Sequence, residues 1–517
     1  MTLAAHLPIL PIVLPMVTGA VLLLLDEGRR RAKTAIALAS TGALAAVSFA
    51  LLQHADGPSP AVYVLGAWPA PFGIVLVADR LAAAMVMVSS VLGLAATVYA
   101  TSRWDRAGAR LHALVQFLLM GLNGAFLTGD LFNLFVFFEL LLAASYGLAL
   151  HGSGAARVRA SLHYIVVNLA ASMLFLVGVS LIYGVTGTLN MAQLAERIHQ
   201  VAAADRALVE AGAGVLSVAF LVKAGMWPLG FWLPTTYATV SPPSAALFAV
   251  LSKVGIYAVV RMWLLFFGGD VGSDLLFWGG IATLGFGVVA MLASQDLARM
   301  GGASLLVSSG TALAVFSHND AATTAAALFY LVGSTPGIAA FFLLVELVQR
   351  MRAPGADILA VTAESFGMPA PDEGTEDDSE PGIASAPAVM GFCFAACALL
   401  VAGLPPLPGF LAKFAIFRAV LAPDAAAAAP WLLVGMLTLS GLATVIALGR
   451  AGVRIFWASR PPAEPHVSAA EIAPVAALLG LCLLLTIAAG PATRYLGDAA
   501  QALHSPRTYV DSVLGTP

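Results

Sequence analysis

Apolar residues in this chain come neither in the alternation of a strand nor in the one-sided stripe of a surface helix. They form long unbroken runs of about 17 to 25 residues, separated by short polar stretches. A run of that length crosses a hydrocarbon core of about 30 Å as a helix, whereas a barrel strand would need only about ten residues and would alternate. The runs predict fourteen spans, at 7–25, 34–52, 74–100, 111–128, 131–150, 161–184, 213–237, 244–266, 275–293, 300–317, 324–349, 388–420, 431–456 and 471–490. The expected fold class is an all-α polytopic membrane protein of about 14 transmembrane helices. With 60% hydrophobic and 10% charged residues and a mean hydropathy of +0.92, the chain has too little polar surface to coat a water-soluble body, which excludes a soluble enzyme.

The first run has no basic residue before it and is followed by Arg29, Arg30, Arg31 and Lys33, the reverse of a cleavable signal peptide. Arg103, Arg106, Arg110, Arg157, Arg159, Arg299, Arg350, Arg352, Arg450, Arg454 and Arg460 fall on the same side as that cluster if the spans alternate. By the positive-inside rule this is the cytoplasmic side of an inner membrane, which puts both termini on the periplasmic or outer face.

Two spans contain prolines that a continuous helix does not tolerate. Pro228 and Pro234 interrupt 213–237, and Pro405, Pro406 and Pro408 interrupt 388–420. At membrane depth, backbone freed by a break must face protein or water. Each broken span is the fourth of a block of five, 111–266 and 275–456, and an odd block length forces opposite topology. The expected organisation is therefore an N-terminal three-helix segment (1–110), two inverted five-helix repeats each with a broken helix, and a C-terminal helix and tail (471–517). The acidic stretch 353–387, with Asp372, Glu373, Glu376, Asp377, Asp378 and Glu380, predicts a solvated cytoplasmic loop within the second repeat.

Of four lysines, Lys33 sits in the basic loop, while Lys223, Lys253 and Lys413 lie inside apolar runs, as does Glu139. A charge at the bilayer centre costs about 2.5–3.5 kcal/mol, so the four together would cost on the order of 10 kcal/mol facing lipid. They must pair, line a hydrated cavity, or give up their charge. Desolvation favours the neutral amine and a nearby carboxylate the ammonium, so such lysines suit a proton relay. A Glu139–Lys223 pair that only fixes helix packing is the plainer alternative, but buried ion pairs stabilise weakly. His163 suits either a relay or a satisfied core polar group, and Glu346 an interfacial snorkelling charge. Asp79, Asp130 and Asp296 fall at span ends and read as interfacial. Cys393, Cys397 and Cys482 lie in apolar runs without the ligand cluster a metal site needs, so neither metal nor cofactor is expected, and no basic–aromatic patch suggests nucleic acid.

Several segments together resemble a known family. They are Thr128-Gly-Asp-Leu-Phe-Asn-Leu-Phe-Val-Phe-Phe-Glu139, Leu221-Val-Lys223-Ala-Gly-Met-Trp-Pro228, Ser241-Pro-Pro-Ser-Ala-Ala246 leading to Lys253, and Gly403-Leu-Pro-Pro-Leu-Pro-Gly-Phe-Leu-Ala-Lys413. The set is similar to the antiporter-like subunits shared by Mrp-type cation/proton antiporters and the membrane arm of respiratory NADH:quinone oxidoreductase. Its wording around Gly129-Asp-Leu-Phe-Asn-Leu134 is closer to the Mrp D-type subunits, and the long C-terminal extension of the A-type is absent. The resemblance implies that Glu139 and Lys223 are a coupled pair, Lys253 a relay and Lys413 an exit-side lysine. It also implies partner subunits, protons and sodium or potassium as cargo, and a lipid bilayer around the chain. One departure is Gly333, where relatives commonly carry a histidine; a glycine there leaves room for water. His163 aligns loosely with a position where relatives often have lysine. Two other classes fit the same spans: a proton-pumping subunit of a quinone- or hydrogenase-linked redox complex, and a non-conducting scaffold.

Overall fold

A computed structural model describes residues 3–68, 72–269, 271–350, 386–422, 428–456 and 467–515. The expected acidic loop therefore lies outside the described residues, apart from Ala386 and Pro387, which open a helix. In chain order the helices are α1 (Leu10–Leu24), α2 (Arg30–His54), α3 (Arg80–Ala100), α4 (Leu111–Leu127), α5 (Leu131–Leu150), α6 (Ala155–Thr186), α7 (Met191–Ile198) and α8 (Ala203–Ala224). They continue as α9 (Trp232–Thr239), α10 (Pro242–Phe248), α11 (Leu251–Phe267), α12 (Ser273–Ala293), α13 (Leu297–Phe316) and α14 (Ala321–Arg350). The remainder are α15 (Ala386–Ala402), α16 (Pro408–Leu421), α17 (Ala428–Phe456), α18 (Ala469–Ile487), α19 (Ala489–His504) and α20 (Arg507–Leu514).

Among the described residues, ten helices or helix pairs are long and apolar enough to cross a membrane, and α1, α4 and α15 are shorter apolar helices. They sort into two shells. In the apolar windows of α3, α10–α11 and α14, 78%, 94% and 89% of residues are buried, against 33% to 39% for α2, α6, α17 and α18. The inner helices are thus surrounded on all sides, while the outer ones turn an apolar face outward: Leu162, Val166, Met173 and Val177 on α6, and Leu442, Ile446 and Val453 on α17. Exposed apolar area on this scale belongs in lipid.

Each expected span has a helix at its place, with instructive differences at the edges. The stretch 74–78, expected to begin the third span, instead forms strand β2 (Val75–Ala78), paired antiparallel with β1 (Ala61–Val64). The hairpin pins the α4–α5 link, where Gly129 N donates to Val75 O at 2.8 Å. β-Branched valines near a membrane surface fit a strand as readily as a helix, so the apolar run alone does not separate them. The helix itself begins at Asp79, whose carboxylate accepts from Ala82 N at 2.8 Å. Asp130 and Asp296 likewise cap α5 and α13. All three are N-caps, the usual use of aspartate at a helix start.

Helix breaks fall where the prolines predict, and both are made the same way. α8 ends at Gly225 (φ +75°) and α15 at Gly403 (φ +73°). In each, the glycine N–H donates three residues back and the next N–H five back: Gly225 to Val222 and Met226 to Leu221, Gly403 to Leu400 and Leu404 to Leu399. This is the left-handed glycine C-cap of a Schellman motif, which only glycine adopts at no steric cost. Pro228, Pro405 and Pro406 lie in the linkers, Pro408 is the first residue of α16, and Pro234 falls in the first turn of α9, positions where a missing N–H costs nothing.

Candidate functional site

Lys223 occupies the last turn of α8, just before the break, and is 4% exposed. Its Nζ lies over the Phe138 ring, 4.9 Å from the centroid, and has no hydrogen-bonding partner. Phe138 belongs to α5, and the next residue is Glu139, whose Oε1 is also buried and unpartnered. No ion pair within 4.0 Å joins the two side chains.

α11 brings the second lysine alongside. Gly255 packs so closely on α8 that a Cβ there would stand 2.6 Å from Ala224 N and 3.0 Å from Lys223 C. The missing side chain lets α11 sit against the turn that carries Lys223, two residues from Lys253. Lys253 is fully buried, and its Nζ donates to Ser308 Oγ on α13 at 2.7 Å. Ser308 in turn lies 3.2 Å from Ser334 Oγ on α14.

Ser334 and Tyr330 face a narrow cavity whose other wall includes Lys413, Gly403, Gly409 and Thr444. It measures about 20 Å³ for water centres, and one water needs about 10–15 Å³. Gly333 lines it as well; a Cβ there would meet only Pro408, at 3.5 Å and beyond. Lys413, 7% exposed, lies over the second break with its stem against Gly403, and its Nζ donates to Ala402 O at 2.9 Å. That carbonyl ends α15, so the ammonium sits at the negative end of a half-helix. Hydroxyl-bearing and ammonium groups thus follow one another from Lys253 through Ser308 and Ser334 to the cavity that Lys413 also lines.

The sequence signals four of these residues, Glu139, Lys223, Lys253 and Lys413, and the fold gathers the last three around the two breaks. His163 lies elsewhere: it is on the exposed side of α6 and its Nδ1 meets the Arg159 carbonyl of its own helix at 2.9 Å. Ser308, Ser334 and Tyr330 carry no charge to single them out, although serines at 304 and 308 on one helical stripe of an apolar span are a visible signal. Two buried ionic clusters also lie beyond the sequence reading. Arg261, two turns beyond Lys253 on α11, pairs with Asp79 and donates to Tyr257 Oη at 2.9 Å. Glu346, expected to snorkel at the interface, instead accepts from Tyr99 at 2.8 Å, Trp104 at 2.9 Å and Arg350 at 2.5 Å, and Arg350 also donates to Glu471 at 2.6 Å, tying α3, α14 and α18 together. Among the described residues no group of three potential ligands could hold a metal.

A polytopic helical bundle with two half-helix breaks and ionisable side chains converging on them defines a membrane protein built to move small ions. The chain belongs to the NADH:quinone oxidoreductase/Mrp antiporter transmembrane family, whose pattern matches residues 128–443. It is 53% identical, over 99% of its own length and 98% of the relative's, to the D-type subunit of a probable K(+)/H(+) antiporter of Rhizobium meliloti. It is 34% identical, over 98% and 99%, to the D-type subunit of a Na(+)/H(+) antiporter of Alkalihalophilus pseudofirmus. A chain in the solved structure of the Mrp complex from Dietzia superposes with a TM-score of 0.84 at 27% identity, covering the whole of both chains.

Proposed function

We propose that this chain is the proton-translocating D-type subunit of a multisubunit monovalent cation/proton antiporter, a secondary transporter component rather than an enzyme. It works in the inner membrane with both termini on the outer face, beside partner subunits that complete the complex. The blocks 111–266 and 275–456 act as two inverted repeats, one carrying Lys223 and Lys253 and the other Lys413. The reading rests above all on the succession Lys253, Ser308 and Ser334, and on the water-sized cavity that Ser334 and Lys413 both line. Glu139 modulates Lys223 through the gap between them: with the carboxylate charged and near, Lys223 holds its proton, and when a cation screens it the proton moves on. Among the described residues no oxygen-rich cage for sodium or potassium accompanies these groups, so the cation passes along a route shared with partner subunits.

Everted vesicles from an antiporter-deficient host expressing the whole gene cluster supply the test. Addition of sodium or potassium is expected to collapse the pH gradient with the wild-type chain and to leave it intact with Lys223→Ala. A Lys223→Ala variant that exchanges at the wild-type rate overturns the relay. A wild-type complex that responds only to electron donors replaces the antiporter reading with a redox-driven pump.

A further inference from the structure

At the end of the bundle where α1 ends, α2 begins, α3 ends and α4 begins, a cavity of about 250 Å³ for water centres opens between the loops. Its polar lining is Arg30, Lys33, Arg106, Arg110 and His112, with Glu27 and Asp105. Four cations face two carboxylates, and only Lys33 is in an ion pair, with Glu27 at 2.9 Å. Arg30, Arg106 and Arg110 form none among the described residues, although Arg30 and Arg106 lie close enough to Asp105 to favour its charged form against the effect of burial.

α4 points its N-terminus into this cavity and has no side-chain cap; Arg110, in the capping position, adopts φ +67°. Free N–H groups and the positive end of a 17-residue helix attract an anion. Second and independently, His112 lines the cavity while 7% exposed, and its Nδ1 is buried with no partner. Its other nitrogen lies 3.5 Å from Thr34 Oγ1. Asp105 Oδ1 is a second buried orphan in the same lining. Both atoms are sealed from the cavity itself, and it is Arg30, Arg106 and Arg110, none of them in an ion pair among the described residues, together with the uncapped start of α4, that call for an anion there.

Apolar residues complete the description. Leu22, Leu111 and Ala113 line the floor, and beside them α1 turns Val21, Leu23 and Leu24 outward, Leu24 at 87% exposure. The cavity therefore joins a cationic mouth at the membrane surface to an apolar helix face running into the hydrocarbon. We propose that it binds the headgroup of an anionic glycerophospholipid. The phosphate sits on the α4 N-terminus among Arg30, Arg106 and Arg110, a glycerol hydroxyl donates to Asp105, and the acyl chains lie along α1. Basic pockets between transmembrane helices are the common setting for such headgroups, and the net positive lining selects a phosphodiester monoanion over a zwitterion.

Thermal stabilisation and native mass spectrometry on the full chain, purified in detergent with the subunits that co-purify, provide the test. The probes are short-chain phosphatidylglycerol, the matching diacylglycerol, and inorganic phosphate. Phosphatidylglycerol is expected to stabilise and be retained at concentrations at least about tenfold below either other probe. R30Q/R106Q/R110Q, all at exposed positions, is expected to weaken it about tenfold while leaving lipid-free unfolding unchanged. Equal protection by inorganic phosphate assigns the site to a free anion, and equal protection by diacylglycerol removes headgroup recognition; either overturns the proposal, as does undiminished retention in the triple variant.

Discussion

Replacing Gly333 by alanine should make the protein more stable and less active, a combination that misfolding cannot produce. Gly333 lies within α14, where alanine is favoured over glycine by about 0.5–1 kcal/mol. The new Cβ meets Pro408 carbons at 3.5 and 4.0 Å, ordinary contact distances, so nothing offsets that gain. Gly333 also lines a cavity of about 20 Å³ with room for little more than one water, so an added methyl is expected to crowd that water out. With the water excluded, Ser334 and Lys413 are separated by more than a hydrogen bond can span, and proton transfer between them needs a direct contact or one intervening water. Cation-driven exchange in vesicles should fall tenfold or more, about 1.4 kcal/mol on the barrier, while the unfolding midpoint in detergent does not fall. Gly333→Ser fills the same space but supplies a hydroxyl, and should retain most of the activity. Wild-type exchange by Gly333→Ala would refute the account of the cavity as the link to Lys413.

Three further substitutions probe other joints of the structure. Ser308→Ala leaves the Lys253 ammonium without its acceptor; a hydrogen bond to a charged group contributes about 1.5–3 kcal/mol, so exchange should drop about tenfold or more, measured in the same vesicles, with threonine rescuing where alanine does not. Gly255→Ala pushes α11 off the α8 backbone and should cost about 1–3 kcal/mol in thermal unfolding together with most of the exchange activity, whereas an unperturbed variant would show that the close approach is not needed. Glu471→Ala strands Arg350 and should destabilise the purified protein by about 3–5 kcal/mol, tempered by the remaining Glu346 contact; a hydrophobic replacement of Arg350 in the same chain should recover part of that loss.

The helix positions are legible in the sequence because a bilayer leaves the backbone few options: an apolar run long enough to span becomes a helix. Ends are less legible. Residues 75–78 and 80–100 form one apolar stretch, and only the Asp79 cap between them marks where strand stops and helix starts. The helices after Ile487 are amphipathic and short, so a search for long apolar runs passes over them. Lys223, Lys253 and Lys413 stand out because a charge in an apolar run is conspicuous one residue at a time. Ser308 and Ser334 do not, since serine is common in membrane helices and becomes informative only when the fold brings two hydroxyls from α13 and α14 within 3.2 Å. Arg261 is as conspicuous as the lysines, and its partner Asp79, 182 positions away, is what makes it structural. The same holds for the mouth at Arg30 and Arg110, whose arginines register in the chain only as charge bias.

The central claim is that the lysines form one connected path across both breaks, and Lys413→Ala tests it most directly, because Lys413 is farthest along the chain from Glu139 and sits in the other block of five helices. Cation-induced collapse of the pH gradient should be lost in Lys413→Ala as completely as in Lys223→Ala, with the complex assembled at normal levels. Exchange that survives Lys413→Ala while disappearing in Lys223→Ala would contradict the connected path and confine proton movement to the first block.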